Sequence, residues 1–140
     1  MIRYLLDTNI VSEPVRQRPD PNVLSHLTER VGEMALASVS WHELLYGYER
    51  MPAGKRKAFL GQYLTETVGA GLPILPFDAD AAAWLARERV RLQQASTTRP
   101  LIDSMIAATA ATRSLILVTR NVRDFEGYAG LHVENWFELR

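Results

Sequence analysis

The stretch IRYLLDTNI, residues 2–10, gives the first indication of the fold, because in it a β-rich apolar run ends at a carboxylate. The run, Ile2 to Leu6, does not alternate regularly between polar and apolar residues. Leu115 to Thr119 repeats the pattern, and Met34 to Ala37 and Ile74 to Phe77 are weaker examples. Runs of this kind are typical of strands that are buried on both faces of a parallel sheet.

Helical patterns separate these runs, so that strands and helices alternate along the chain. The predicted helices span Pro21 to Val31, Trp41 to Arg50, Arg56 to Val68, Ala79 to Gln94 and Leu101 to Arg113. This order predicts an α/β fold with a central, mostly parallel sheet and helices on both faces. Ligands of such folds bind in the crevice beyond the carboxyl ends of the strands.

Length and composition indicate one domain inside the cell. The chain has 140 residues, of which 47% are hydrophobic, and its candidate loops are short, so residues 1–140 are expected to form a single domain. The absence of cysteine excludes disulfides and thiolate catalysis. Asp7 interrupts the first apolar run, and no later run reaches the about 20 residues of a membrane span. We therefore expect a cytoplasmic protein.

Four acidic residues fall where this scaffold places a ligand. Asp7 follows the first predicted strand directly, and Asp124 comes just after the strand that ends at Thr119. Glu43 and Asp103 lie in the first turns of the second and fifth predicted helices. All four are expected to converge on one edge of the sheet.

Each acid also has an ordinary structural explanation. The segment Ser40 to Glu43 fits a capping box, in which the glutamate side chain accepts a hydrogen bond from the serine amide. Asp103 near a helix N-terminus is stabilised by the helix dipole, and Asp7 and Asp124 could cap short segments. The joint pattern favours a site, because a charge at the end of a buried strand is costly unless it faces solvent, a metal or a partner.

Several carboxylates in one crevice repel one another, so such a cluster indicates a divalent cation. Oxygen ligands without cysteine or a histidine pair indicate Mg²⁺ or Mn²⁺, which can activate water and stabilise charge on a phosphodiester. The residues predicted to hold the ion and to act in catalysis are Asp7, Glu43, Asp103 and Asp124. The polar neighbours predicted to orient ligands or waters are Thr8, Asn9, Thr119 and Asn121.

The charges of the chain cancel, since it has 16 basic and 16 acidic residues, and the total charge predicts no nucleic-acid partner. Three arginines near the acids in sequence are nevertheless candidates for contacts with RNA phosphates: Arg99, Arg120 and Arg123. Contacts of this kind position a substrate without reading its sequence.

Four stretches resemble the motifs of PIN-domain nucleases and, more narrowly, of the VapC-type toxins of bacterial toxin–antitoxin pairs. They are LLDTNI (Leu5 to Ile10), SWHELLYG (Ser40 to Gly47), PLIDSMIAATA (Pro100 to Ala110) and LVTRNVRDF (Leu117 to Phe125). They are distributed from residue 5 to residue 125, in the order and at the spacings of that family, so the resemblance extends over nearly the whole chain.

The resemblance implies a PIN fold, Mg²⁺- or Mn²⁺-dependent endoribonuclease activity, inhibition by a small antitoxin protein, and a homodimer. In this sequence Asp7 and Asp103 match the core metal-binding acids, and Glu43 matches the acid of the second motif. Asp124 and Asn121 occupy the fourth motif, where many PIN nucleases have an acid at the position of Asn121. Which of the two completes the site is left open here.

Two other functions remain as alternatives. An aspartyl-phosphate phosphatase would use Asp7 as its nucleophile. The sequence speaks against such a phosphatase, because Asn9 stands where these enzymes have a second acid. It also speaks against a receiver domain, because Arg120 stands where receiver domains need a lysine. The other alternative is a catalytically silent PIN-like module that binds RNA or protein, which the retention of all four motif acids argues against.

Overall fold

The computed structural model describes residues 1–138, which contain a five-stranded sheet. All four pairings between neighbouring strands are parallel. The strands, in the spatial order β3-β2-β1-β4-β5, are β1 (Tyr4–Leu6), β2 (Met34–Ala37), β3 (Ile74–Leu75), β4 (Ile116–Val118) and β5 (His132–Glu134). The predicted parallel sheet is confirmed.

The helices follow the predicted order, with two differences near the first two strands. They are α1 (Thr8–Val11), α2 (Pro21–Glu29), α3 (Ser38–Glu49), α4 (Lys55–Gln62), α5 (Ala79–Gln94) and α6 (Leu101–Ala111). A π-helical segment, Tyr63–Gly69, continues α4, and 3-10 turns span Glu13–Val15 and Val122–Phe125. The short α1 was not predicted, and α3 begins directly after β2, three residues before the predicted start.

The two faces of the sheet bury separate apolar clusters. Leu5 of β1 packs on one face with Ala107 and Ala110 of α6, and these three residues are fully buried. Leu6 packs on the other face with Ile10 of α1. Burial of one leucine side chain contributes about 1.5–3 kcal/mol, and the alanines let α6 approach the sheet closely. Helices on both faces are thus confirmed.

The order of the strands reverses at β1, because the chain builds outward through β2 and β3 on one side and through β4 and β5 on the other. The crevice at such a switch point is where open α/β sheets bind ligands. Residues that directly follow β1 and β4 therefore face each other at this edge. In the described part of the chain, no helix is both long and apolar enough to cross a membrane.

Candidate active site

Asp7 lies at the carboxyl end of β1 and is the N-cap of α1. It is 6% exposed, and its carboxylate accepts hydrogen bonds from the Thr8 amide at 2.8 Å and from the Thr119 hydroxyl at 2.8 Å. Burial raises the pKa of Asp7, the hydrogen bonds from Thr119 and Thr8 oppose this rise, and the charge of Asp124 adds to it. The carboxylate is therefore fixed in one orientation at a site that disfavours its charge.

A polar network joins the ends of β1 and β4. The Asn9 side-chain amide donates to Asp7 Oδ2 and to the Thr119 hydroxyl, both at 3.4 Å, and Asn9 Oδ1 accepts from the Arg120 amide at 3.1 Å. The backbone N–H of Asn121 donates to the Thr119 hydroxyl at 3.1 Å. The polar neighbours predicted from the sequence do meet at Asp7, although Thr8 and Asn121 take part through their backbone.

The capping box predicted for Ser40 to Glu43 is wrong. Strand β2 runs directly into α3, so Ala37 is the N-cap and Ser40 is the third residue of the helix. The Ser40 hydroxyl is fully buried and has no hydrogen-bond partner in the described chain. Glu43 lies one turn further on, at the exposed rim. Burial of its carboxyl and then the charges of Asp7 and Asp103 raise the pKa of Glu43. Its side chain thus faces the other acids.

Asp103 is partly buried in the first turn of α6, whose N-cap, Pro100, offers no side-chain cap. Its carboxylate makes no hydrogen bond to another residue within 1–138. Burial raises the pKa of Asp103, the charges of Asp7 and Asp124 raise it further, and the charge of Arg99 opposes them. The carboxylate therefore points at the other acids without a partner of its own.

Asp124 completes the group from the 3-10 turn that follows β4. It is exposed, and its negative charge raises the pKa of both Asp7 and Asp103. The side chain of Asn121 is exposed as well. This residue joins the polar network around Asp7 only through its backbone N–H, which donates to Thr119. The structure thus brings the four predicted acids to one edge of the sheet.

The four carboxylates are near enough to interact electrostatically, but they do not surround one common position. Within residues 1–138, no three His, Cys, Asp or Glu side chains stand close enough together to hold a metal ion directly. Like charges in one crevice disfavour one another's ionised forms, and a bound cation would offset this repulsion. A donor set of carboxylate oxygens without thiolate is the one that Mg²⁺ and Mn²⁺ prefer. In its chemistry, the crevice fits a hard divalent cation.

Residues 4–131 match the family model of the PIN domain. The chain belongs to the PIN-domain family. Over 136 residues this PIN domain is 32% identical to the tRNA(fMet)-specific endonuclease VapC of Shigella flexneri, with 97% of the chain and 99% of the relative covered. It is therefore a PIN domain of the VapC type.

Solved structures agree with this assignment. The PIN domain superposes on a structure of FitAB bound to an IR36 DNA fragment with a TM-score of 0.90, at 30% identity and with 98% of the chain and 97% of the other covered. A toxin–antitoxin complex from Klebsiella pneumoniae gives a TM-score of 0.68 at 26% identity, with 97% and 99% covered. The predicted PIN fold is confirmed.

The three arginines predicted near the acids of the PIN domain make different contacts. Arg99 donates to the carbonyl oxygens of Arg123 at 3.0 Å and of Glu126 at 2.7 Å, so both of its terminal nitrogens hold the turn that carries Asp124. The Arg120 guanidinium lies 4.4 Å from the centroid of the Phe137 ring. Arg123 is exposed beside them.

Sequence reasoning missed two polar groups near the crevice of this PIN domain. The Ser104 hydroxyl, next to Asp103, is buried and lies 2.6 Å from the Tyr128 hydroxyl. Glu13 is 3% exposed, although it lies only two residues beyond α1. No periodicity marks either one, because both are buried by loops whose course the local sequence does not indicate.

Proposed function

We propose that this chain is a divalent-metal-dependent endoribonuclease that acts as the toxin of a bacterial toxin–antitoxin pair. The observation that carries the proposal is the convergence of acidic side chains at the carboxyl edge of the sheet, where burial raises the pKa of Asp7, Glu43 and Asp103 and nearby carboxylates raise each of them further. Shifts that combine burial with repulsion from other acids in a crevice are typical of functional sites. The name of the VapC relative, an endonuclease, supports the same reaction.

The metal would be Mg²⁺ or Mn²⁺, held by Asp7, Glu43, Asp103 and Asp124. When bound, such an ion supplies an activated water and neutralises charge on the phosphodiester. Thr119 and Asn9 keep the Asp7 carboxylate in a fixed orientation, so no side-chain entropy is lost there on binding.

Beyond the effect of burial, the charge of Asp7 raises the pKa of Glu43 and Asp103, and the charge of Asp124 raises that of Asp7 and Asp103. The hydrogen bonds from Thr119 and Thr8 oppose the rise in the pKa of Asp7 that its burial causes. Arg99 lowers the pKa of Asp103 and, through the two carbonyls it binds, fixes the turn that carries Asp124. Thr119, Thr8 and Arg99 thus favour the ionised forms of Asp7 and Asp103, whose negative charge a bound cation would offset.

Partners and location follow from the same proposal. The substrate is RNA, and the inhibitor is a cognate antitoxin protein, as the toxin–antitoxin complex among the structural neighbours supports. A homodimer and a cytoplasmic location are expected with them. A silent binding module is the second candidate, favoured only by the separation of the four carboxylates.

Cleavage of RNA by purified, antitoxin-free protein tests the proposal. We expect cleavage with Mg²⁺ or Mn²⁺ and none in excess chelator. Asp7→Asn should abolish most of it, whereas Asp80→Asn, the same change at an exposed position on α5, should not. Cleavage that persists in chelator contradicts the metal mechanism. Retention of intact RNA under every metal condition supports the binding module instead.

A further inference from the structure

A second pocket lies beside the acid crevice, at the other end of α1. It is open, holds about 440 Å³, and so has room for a nucleotide. Glu13 lies two residues beyond the end of α1, and Asp7 is the N-cap at the start of this helix. The charged and aromatic residues that line this pocket are Glu13, Arg16, Arg18, Asp20, Arg120 and Phe137.

Glu13 presents a buried acceptor to this pocket. Its side chain is 4% exposed, and Oε2 accepts a hydrogen bond from the Asp20 amide at 2.8 Å. Oε1 is buried and has no hydrogen-bond partner in the described chain, since Arg16 Nη1 is 3.8 Å away. A buried carboxylate oxygen without a donor is costly. A ligand with an N–H group would remove that cost.

Three arginines line the same pocket as this acceptor. Arg16 and Arg18 are exposed, and the Arg120 guanidinium lies over the Phe137 ring. Three guanidinium groups against two carboxylates leave the pocket one positive charge. The Arg120 amide also donates to Asn9, whose side chain contacts Asp7. Arg120 therefore lies between the pocket and the acid crevice.

We propose that this pocket binds a nucleotide of the RNA strand beside the acid crevice, with a base amino group donating to Glu13 Oε1. The phosphates of that strand lie against Arg16, Arg18 and Arg120. A strand with both features fits this pocket, because its phosphates can contact the arginines while its amino group donates to Glu13. The inference rests on the proposed function and adds a preference for particular bases.

The predicted preference follows from the edges of the bases. Adenine, cytosine and guanine carry an exocyclic amino group that can donate to a carboxylate oxygen. In uracil the single N–H lies between two carbonyl oxygens, which a carboxylate repels. Only one oxygen of Glu13 lacks a hydrogen bond, and it is ion-paired with Arg16 at 3.8 Å, so the site distinguishes amino-bearing bases from uracil and not from one another.

Binding of labelled oligo(A), oligo(C) and oligo(U) of equal length, measured in chelator so that no cleavage occurs, tests the inference. We expect oligo(A) and oligo(C) to bind about tenfold more tightly than oligo(U), as for one hydrogen bond to a charged group. Glu13→Gln should remove or reverse this difference, because its amide can keep the Asp20 hydrogen bond while presenting an N–H₂ to the pocket. A difference that survives in a folded Glu13→Gln protein overturns the inference.

The arginines provide an independent test that does not depend on Glu13. In Arg16→Gln/Arg18→Gln, the slope of log affinity against log salt should fall by about 1.4, at about 0.7 for each phosphate contact to a single strand. The matched control is Arg87→Gln/Arg89→Gln, which changes two exposed arginines of α5. Equal slopes in the two double variants would show that the pocket contacts no phosphate.

Cleavage assays on the same preparations separate this inference from the proposed function. If the parent cleaves RNA while the pocket variants bind as the parent does, the inference is wrong and the proposed function stands. If the parent neither binds nor cleaves RNA, both are wrong.

Discussion

Replacing Asp103 by asparagine is expected to leave the metal-free protein as stable as the parent or more stable near neutral pH. Burial, followed by the charges of Asp7 and Asp124, raises the pKa of Asp103 in the folded state, against the opposing charge of Arg99. The stability associated with such a group is fully present below its unfolded pKa of about 3.9 and is lost as pH rises through the folded pKa. Asparagine has no charge to lose, so the variant avoids this loss.

The size of the effect follows from two opposing contributions. Each unit of pKa elevation corresponds to about 1.4 kcal/mol of stability lost at neutral pH, and the partial exposure of Asp103 reduces this figure through solvent screening. The variant also loses a favourable interaction with the N-terminal dipole of α6, about 0.3–1 kcal/mol. We therefore expect a net gain of zero to about 1 kcal/mol, or up to about 4 °C in Tm.

Thermal melts in chelator and in Mg²⁺ measure both consequences. Mg²⁺ should stabilise the parent by about 2.7 kcal/mol at a hundredfold excess over Kd, and should stabilise Asp103→Asn much less. Asp80→Asn is the matched control, since Asp80 lies in the first turn of α5 and is exposed; it should lose only the dipole interaction and keep the full Mg²⁺ shift. If metal-free Asp103→Asn melts well below the parent and Mg²⁺ shifts both equally, Asp103 is a structural residue of the helix end.

Three further substitutions test individual parts of the site. Thr119→Val removes a hydrogen bond that lowers the pKa of Asp7, so the acid limb of the pH–rate profile should move to higher pH. Glu43→Gln should reduce cleavage more than tenfold without lowering Tm; full activity in this variant would mean that Glu43 does not hold the ion. Arg99→Gln should speed amide hydrogen exchange over residues 122–126 and lower kcat more than it changes KM, because it frees the carbonyls that hold this turn; unchanged exchange would contradict that positioning role.

The parts of the fold that were predictable from the sequence are those with a strong apolar period. Strands β1 and β4 are buried on both faces, and this burial appears directly as uninterrupted apolar runs. Strand β5 has no such signal, because it is an edge strand of three residues, two of them His132 and Glu134. Pairing with β4 makes it a strand, and that contact lies outside the local sequence.

The candidate site was predictable to a similar extent. The positions of Asp7 and Asp124 follow from the rule that parallel strands end at one edge. The start of α3 did not follow from the sequence, because Ser40 offered a standard cap signal while tertiary packing buried Val39 and Ser40 inside the helix. Local propensity is weaker than burial at such positions. The wrong cap has this cause.

The fourth acid of the crevice, Asp124, lies three residues beyond the position where the fourth motif has its acid. The resemblance to PIN-domain nucleases implies an acid at the position of Asn121, but in this chain the Asn121 side chain is exposed and its backbone N–H donates to the Thr119 hydroxyl just after β4. The 3-10 turn Val122–Phe125 then brings Asp124 back toward the sheet, where its charge raises the pKa of Asp7 and of Asp103. A charge acts on two carboxylates at once only if it lies near both of them. We therefore propose that Asp124 supplies the fourth negative charge of the crevice, and that the backbone N–H of Asn121 helps to position the loop that carries it.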